Sequence, residues 1–181
     1  MKVYSNNLYH IYNRGHDKNL IFFEEDNYRY FLQQFKKYVA PHCEVFAYCL
    51  MPNHFHFFVY VENEQLFEKG MKNFLISYAK AINKKYNKVG SLFQGRYKAS
   101  EITTKSYYTI IIAYIHQNPV KAGLVEKPED YKFSSYNAYL SQKESLVHRT
   151  DVLDWFGGLE HFIEYHKLVL DEYKLDKMLK L

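Results

Sequence analysis

The sequence predicts an α+β protein with a split βαβ arrangement, in which helices pack on an antiparallel sheet. Three observations predict this class. The 181 residues suffice for one domain plus an appendage, at ~100–200 residues per domain. Apolar residues make up 48% and charged residues 24%, the balance of a globular chain that can bury a core. Segments with strand and helix periodicity follow one another in the order strand, helix, strand, strand, helix, strand, helix.

The first two elements are a strand and an amphipathic helix. Residues 8–13 are loosely apolar and end at Arg14-Gly15, which indicates a strand followed by a turn. Asp26 is the expected N-cap of a helix whose apolar residues recur three and four apart. Pro41 is expected to end this helix, because proline cannot continue the helical hydrogen bonding.

A β-hairpin and two further helices complete the predicted sheet and its cover. Residues 43–51 are almost wholly apolar, typical of a strand buried on both faces, and a very short connection leads to a strand over residues 54–61. Apolar spacing then predicts a helix from residue 64 to about residue 86. A strand over residues 97–102 precedes a third helix over residues 106–117, which Asn118-Pro119 is expected to stop.

The pattern is weaker in the last third of the chain. Residues 128–140 are predicted to form an ordered aromatic loop or a short helix, and Gly157-Gly158 precede a final helix to about Leu179. We therefore expect a catalytic domain over residues 1–140 and a C-terminal helical extension over residues 141–181. Residues 151–181 carry a formal charge of −3. An acidic segment is expected to pack against the domain or to cover a basic groove rather than to bind a nucleic acid strand.

Composition excludes several classes of protein. Cys43 and Cys49 lie in one apolar run without a CxxC partner, which argues against a disulfide framework and a thiolate zinc site. No signal peptide and no apolar stretch long enough to span a membrane is recognisable. A cytoplasmic protein without a membrane partner is therefore expected. The net charge of +4 is by itself too small to identify a nucleic-acid binder.

A pair of histidines is the first candidate site. His54 and His56 lie two residues apart on a predicted strand, so both imidazoles project from one face and could share a divalent ion. The alternative is that they are ordinary surface or half-buried histidines. Because no cysteine lies nearby at a suitable spacing, oxygen ligands and water would complete the site, which favours Mg²⁺ or Mn²⁺ over structural zinc. Such a site suits a phosphate substrate.

A tyrosine and an asparagine on the third helix form the second candidate site. Tyr114 and Asn118 are four residues apart and therefore lie on one helix face. A tyrosine can attack phosphorus covalently when a cation neutralises the phosphate, and an asparagine oxygen can serve as a metal ligand. Spacing alone leaves the alternative open, in which Tyr114 is one packing residue among nineteen tyrosines and Asn118 is a helix stop.

Three ordered motifs stand out in the chain, namely Met51-Pro52-Asn53-His54-Phe55-His56, Gly90-Ser91-Leu92-Phe93-Gln94-Gly95-Arg96-Tyr97-Lys98 and Tyr114-Ile115-His116-Gln117-Asn118-Pro119-Val120-Lys121-Ala122-Gly123-Leu124-Val125. Shorter motifs lie at residues 9–15 and 131–136. In order and spacing these motifs resemble those of the REP-associated tyrosine transposases, in the single-tyrosine HUH transposase-like superfamily. The resemblance spans Leu8 to Leu140 and implies a ferredoxin-like fold.

The resemblance implies a metal-dependent enzyme that cleaves and rejoins single-stranded DNA, often beside a hairpin, through a 5′-phosphotyrosine. His54 and His56 match the family's metal-binding pair, Tyr114 its nucleophile and Asn118 the polar residue that completes the metal site. Two positions depart from the family pattern: His116 stands where glutamate is frequent, which puts substrate contacts in doubt, and Phe133 stands where tryptophan is usual.

Basic charge is concentrated in one segment. Residues 69–100 contain eight lysines and arginines and no acid, so the rest of the chain sums to −4. Aromatic residues are interleaved with these cations, as expected of a groove that follows phosphates and stacks unpaired bases. The alternative is a solvated helix face. The candidate DNA-binding residues are Arg14, Lys84, Lys85, Lys88, Arg96, Tyr97 and Lys98.

Two other functions are consistent with the same residues. One is a nucleic-acid-binding domain of this fold without chemistry, and the other is a phosphoesterase that uses water as the nucleophile. The sequence also leaves open whether the protein acts as a monomer or a homodimer and whether Tyr114 serves its own chain's metal site.

Overall fold

A four-stranded antiparallel sheet forms the centre of the protein, as predicted. The structure is a computed structural model and describes residues 2–168. The strands are β1 (Asn7–Arg14), β2 (Cys43–Met51), β3 (His54–Val61) and β4 (Lys98–Glu101), in the spatial order β2-β3-β1-β4. The helices are α1 (Glu25–Tyr38), α2 (Glu64–Lys85), α3 (Ser106–Lys121), α4 (Tyr136–Leu140), α5 (Arg149–Phe156) and α6 (Leu159–Lys167). The predicted α+β fold class and element order are confirmed.

Helices cover both faces of the sheet because side chains alternate along each strand. On one face, Phe31 and Phe35 of α1 contact Phe57 of β3, and α2 packs against α1. On the other face, Phe58 of β3 contacts Tyr108 of α3. Helices α5 and α6 pack against α3 from outside, so the described part of the C-terminal extension lies on the α3 side of the sheet.

A glycine permits the close contact between α1 and α2. A Cβ atom on Gly70 would lie 2.1 Å from the carbonyl oxygen of Tyr38. No side chain fits at that distance, so a larger residue would push the two helices apart. The apolar face between these helices and the sheet depends on this contact.

The boundaries of two helices differ from the expectation. α1 begins at Glu25, and Asp26 lies inside its first turn, where it pairs with Arg29, so Asp26 is not the N-cap. α3 continues through Pro119 to Lys121, because the loss of one N–H removes a single bond while later amides still bond to helical carbonyls. The helix ends where Gly123 adopts a left-handed conformation with φ 67°.

The C-terminal part contains more separate helices than predicted. α4 is the short helix expected within residues 128–140. α5 and α6 are separated by Gly157-Gly158, and the rest of the predicted final helix, to about Leu179, lies outside the described residues. The division into a domain over residues 1–140 and an extension over residues 141–181 stays a prediction.

Candidate functional site

A cleft of about 500 Å³ lies between the sheet and α3. Its walls come from the end of β1, the β2–β3 turn, the start of β3, the loop before β4, and α3. All four residues predicted for the metal and the nucleophile line this cleft, namely His54, His56, Tyr114 and Asn118. Residues from two separate parts of the sequence therefore meet at one site.

The two histidines lie side by side on one face of β3, as the strand period predicts. Their ring centroids are 5.0 Å apart and their planes are nearly perpendicular. The Nδ1 atom of His54 is 2.6 Å from the Oδ1 atom of Asn53, in the β2–β3 turn. Because an amide oxygen only accepts hydrogen bonds, His54 donates from Nδ1, which leaves a lone pair on its Nε2 atom.

The α3 helix carries the tyrosine and the asparagine into the cleft on successive turns. Both side chains are partly exposed, whereas the residues between them on α3 are buried. The ring of Tyr114 lies 5.8 Å from that of His56, edge to face. The Nδ2 atom of Asn118 donates to the carbonyl oxygen of Tyr114 at 2.8 Å, and its side chain is also hydrogen-bonded to His54.

Burial keeps the imidazoles of the cleft neutral at neutral pH. Desolvation lowers the pKa of His54, which its hydrogen bond to Asn118 partly offsets, and the nearby charge of Arg14 lowers this pKa further. The pKa of His56 is lowered well below its usual value by burial and then by His10 and His54. Neutral imidazoles are the form that binds metal ions.

One buried atom of the cleft is suited to bind a cation. The Nε2 atom of His56 is buried and has no hydrogen-bond partner. Such an atom is costly unless something else binds it, and a metal ion would do so. Within residues 2–168 no group of three or more histidines, cysteines or carboxylates could hold a metal. A metal held by these two histidines would therefore need further ligands of another kind, such as the amide oxygen of Asn118 or water.

The predicted DNA-binding residues occupy two different places. Arg14 and Lys98 line the cleft; Arg14 is hydrogen-bonded to Gln94, and Lys98 lies over the ring of Tyr12. Tyr97 is half-buried, and burial raises its pKa to about 12. The other four candidate DNA-binding residues are exposed and do not line the cleft, namely Lys84, Lys85, Lys88 and Arg96. Among them, Lys85 is paired with Glu24.

Several residues of the site escape prediction from the sequence. Tyr12 and Lys18 also line the cleft, so a second tyrosine stands near the histidines. The ammonium group of Lys121 lies 5.3 Å from the centre of the Tyr114 ring. His10 contacts His56 from behind. The alternation along residues 8–14 places His10, Tyr12 and Arg14 on one face, which is the signal that could have revealed them.

His116, the first departure from the family pattern, does not line the cleft. It is fully buried, and its Nδ1 atom is 2.9 Å from the Nε2 atom of His166 in α6. Its Nε2 atom is 2.7 Å from the hydroxyl oxygen of Ser135. This network joins α3 to α6. Phe133, the other departure, stacks on Tyr28 with ring centroids 3.7 Å apart.

The hydrogen bond from His166 to a backbone carbonyl fixes the donor and acceptor in every other hydrogen bond of this network. His166 donates from Nδ1 to the carbonyl oxygen of Phe162, so its Nε2 atom accepts from His116. The Nε2 atom of His116 then accepts from the Ser135 hydroxyl. Both imidazoles are neutral: burial lowers the pKa of His166 to about 4 and, together with His166, lowers that of His116 well below its usual value.

No helix within residues 2–168 is long and apolar enough to cross a membrane.

Comparison with solved structures agrees with the fold. A solved structure of a REP-associated tyrosine transposase bound to a REP hairpin is similar, with a TM-score of 0.64 and 18% sequence identity over 78% of this chain and 87% of that chain. A bacterial tRNA(His) guanylyltransferase-like protein in complex with GTP gives a TM-score of 0.47 and 9% identity over 68% and 67% of the two chains, too low to carry an argument. No curated relative was found.

The family itself is shown by the sequence. The model of IS200-like transposases matches residues 3–118, which is more than half of the chain and includes His54, His56, Tyr114 and Asn118. The chain belongs to the IS200-like transposase family, whose members act on DNA.

Proposed function

We propose that this protein cleaves and rejoins single-stranded DNA, with Tyr114 as the nucleophile. Single-stranded DNA with a hairpin beside the cleavage position is the substrate to test. One observation carries the proposal: a phenol on α3 faces two neutral imidazoles across a single cleft, with ring centroids 5.8 Å apart for Tyr114 and His56.

The phenol oxygen of Tyr114 attacks the scissile phosphorus, and a Tyr114–phosphorus bond forms as the bond from phosphorus to the 3′ oxygen breaks. The phenol proton leaves through solvent, and the released 3′ oxygen takes up a proton to become a hydroxyl. The DNA 5′ phosphate is then linked to the protein. A second 3′-hydroxyl can reverse the step on another strand without ATP, because the phosphodiester is conserved in the covalent link.

His54, His56 and Asn118 are the residues that would hold a divalent ion such as Mg²⁺ or Mn²⁺. The buried, unpartnered Nε2 atom of His56 and the lone pair left on His54 support this assignment. A bound cation would neutralise the charge of the scissile phosphate. Asn118 has a second role without any metal, because its amide donates to the carbonyl of Tyr114 and so fixes its own side chain on α3.

Arg14 and Lys98 are proposed to bind the phosphates next to the cleavage position, since both line the cleft. The cations at the end of α2 and in the following loop would extend this path along the strand, with Tyr97 as a candidate surface for base stacking. The described part of the C-terminal extension contributes none of the residues that line the cleft. Its packing against α3 supports a structural role over a covering role.

The decisive experiment compares two tyrosines of the same cleft. The protein and the variants Tyr114→Phe and Tyr12→Phe are incubated with labelled hairpin-flanked single-stranded DNA and Mn²⁺, then resolved in SDS. A covalent adduct is expected from the parent protein and from Tyr12→Phe, and none from Tyr114→Phe. An adduct retained by Tyr114→Phe but lost by Tyr12→Phe would assign the nucleophile to Tyr12.

The same experiment separates the alternative functions. Free cleavage product that persists in Tyr114→Phe, without any adduct, would indicate a phosphoesterase with water as the nucleophile. Binding without cleavage in every metal tested would indicate a DNA-binding domain of this fold.

The tyrosine and the histidines come from one chain, which supports cleavage in cis. A mixture of Tyr114→Phe with a His54→Ala, His56→Ala double variant tests this. Neither variant forms an adduct alone, and the mixture is also expected to form none. Restored adduct in the mixture would mean that a homodimer exchanges its tyrosine helices.

A further inference from the structure

We propose that His10 is a positioning residue that holds His56 in the tautomer able to bind a cation. The inference rests on the proposed function, in which His56 is a metal ligand. His10 itself does not line the cleft and so does not touch the DNA. Its role is to accept a hydrogen bond from the Nδ1–H group of His56.

The imidazoles of His10 and His56 lie end to end on one face of the sheet. β1 and β3 are paired antiparallel, with Tyr12 opposite His56 and His10 opposite Phe58. The Nε2 atom of His10 lies 2.8 Å from the Nδ1 atom of His56. The ring planes differ by only 13° and the centroids are 5.0 Å apart, the arrangement of a nearly coplanar, in-line hydrogen bond.

Only two tautomer pairs satisfy this hydrogen bond when both rings are neutral. In the first, His56 donates from Nδ1, and its Nε2 atom keeps a lone pair that can bind a cation. In the second, His10 donates, and the proton of His56 moves to Nε2, where it blocks coordination. Within the described residues the two buried side-chain atoms without a partner are the outer atoms of this pair, His56 Nε2 and His10 Nδ1.

The neighbouring ligand has the matching arrangement. His54 donates from Nδ1 to the Oδ1 atom of Asn53. Each imidazole of the cleft therefore has an acceptor behind it, an amide oxygen for His54 and an imidazole for His56. An acceptor behind a ligating histidine fixes its tautomer and its orientation, and loss of such an acceptor weakens metal affinity about 10–100-fold.

His10 is also held rigidly enough for this role. It is fully buried, it stacks on Tyr12 with ring centroids 4.9 Å apart, and its ring meets that of Tyr114 edge to face at 6.0 Å.

The test measures Mn²⁺ affinity without DNA, by electron paramagnetic resonance of the free ion. His10→Gln supplies a side-chain oxygen that can only accept, whereas His10→Phe fills the space without an acceptor. We expect affinity within about threefold of the parent for His10→Gln and a loss of at least tenfold for His10→Phe. Phe67→Leu, at a buried position of α2 outside the cleft, is the control for loss of core packing. Its affinity should match that of the parent.

The outcomes separate this role from the proposed function. If His54→Ala and His56→Ala leave Mn²⁺ affinity unchanged, the metal site itself is wrong and the role of His10 falls with it. If those variants abolish binding but His10→Phe binds like the parent, only the role of His10 is refuted. Equal losses in His10→Gln and His10→Phe would also refute it, since an acceptor alone would then not suffice.

A second measurement covers the case in which His10→Phe does not fold. Nitrogen-15 spectra of the unsubstituted protein in Mg²⁺ report which ring nitrogen of each histidine carries the proton. His56 is expected to be protonated at Nδ1, with a hydrogen-bonded signal. Protonation of His56 at Nε2 under these conditions would overturn the proposal.

Discussion

Acid should destabilise this protein through the buried histidine pair that joins α3 to α6. His116 and His166 are neutral in the folded state, because burial lowers both pKa values, that of His166 to about 4. In the unfolded chain both titrate at the ordinary value of 6.5. Below that value the unfolded state binds more protons than the folded state. Stability from this pair is therefore fully present above pH 6.5 and is lost as the pH falls towards 4.

The size of the effect follows from the same pKa values. At about pH 5 each histidine that must stay neutral on folding costs roughly 2 kcal/mol relative to about pH 7.5. The two together should remove about 4 kcal/mol, a large part of the ~5–15 kcal/mol by which domains are stable.

A double variant isolates the contribution of this pair. In His116→Gln with His166→Gln, each glutamine can still donate and accept, so the chain of hydrogen bonds can re-form without a titrating group. The variant should lose about 4 kcal/mol less than the parent between the two pH values. The other buried histidines are present in both proteins and cancel in the comparison.

Urea unfolding in EDTA at the two pH values measures this difference. Trp155 is the single tryptophan of the chain and packs on Phe46, with ring centroids 4.7 Å apart, so its fluorescence reports the contact between α5 and the sheet. If parent and double variant lose the same free energy of unfolding on acidification, the two imidazoles are not held neutral and the reasoning is refuted.

Three further predictions concern packing, the nucleophile and the DNA path. Gly70→Ala should lower stability by about 1–3 kcal/mol in thermal unfolding, because its Cβ would overlap the Tyr38 carbonyl; Ile76→Ala, at an exposed position of α2, is the control and should change little. With Tyr114 as the proposed nucleophile, Lys121→Gln should slow adduct formation in a time course, because an ammonium near the Tyr114 ring would stabilise a developing phenolate; an unchanged rate would exclude this role. Neutralising Lys84, Lys85 and Lys88 together should make the binding constant for single-stranded DNA less dependent on salt. The slope of its logarithm against the logarithm of salt concentration should fall in magnitude by about 2, and an unchanged slope would remove these lysines from the DNA path.

The elements of the fold were predictable because their signals are local. Alternation and helical spacing depend only on neighbouring residues, and they identified the strands and the three large helices in order. The errors arose where a local preference competed with the rest of the structure. Pro119 was expected to end α3, but the helix packs along its length against the sheet and the outer helices, which compensates for one lost hydrogen bond.

Two residue pairs of the candidate site could also be predicted from local spacing. His54 with His56, and Tyr114 with Asn118, each share a face of one element, so each pair follows from the period of a strand or a helix. Spacing alone could not bring the pairs together, since 57 residues lie between His56 and Tyr114. In the sequence, only the resemblance of the ordered motifs to one family links the two pairs.

The sequence by itself determined the periodic elements, the two polar pairs and the basic segment, because each depends on residues near one another in the chain. The tertiary structure decided which faces meet. The pairing of β1 with β3 brings His10 behind His56, and the packing of α6 on α3 buries His116 against His166. Long-range pairing and burial set these contacts, and neither leaves a signal in local spacing. Burial also explains the large aromatic fraction, because most of the aromatic rings pack in the core on the two faces of the sheet. Tyr114 is one of the few aromatic residues that line the cleft.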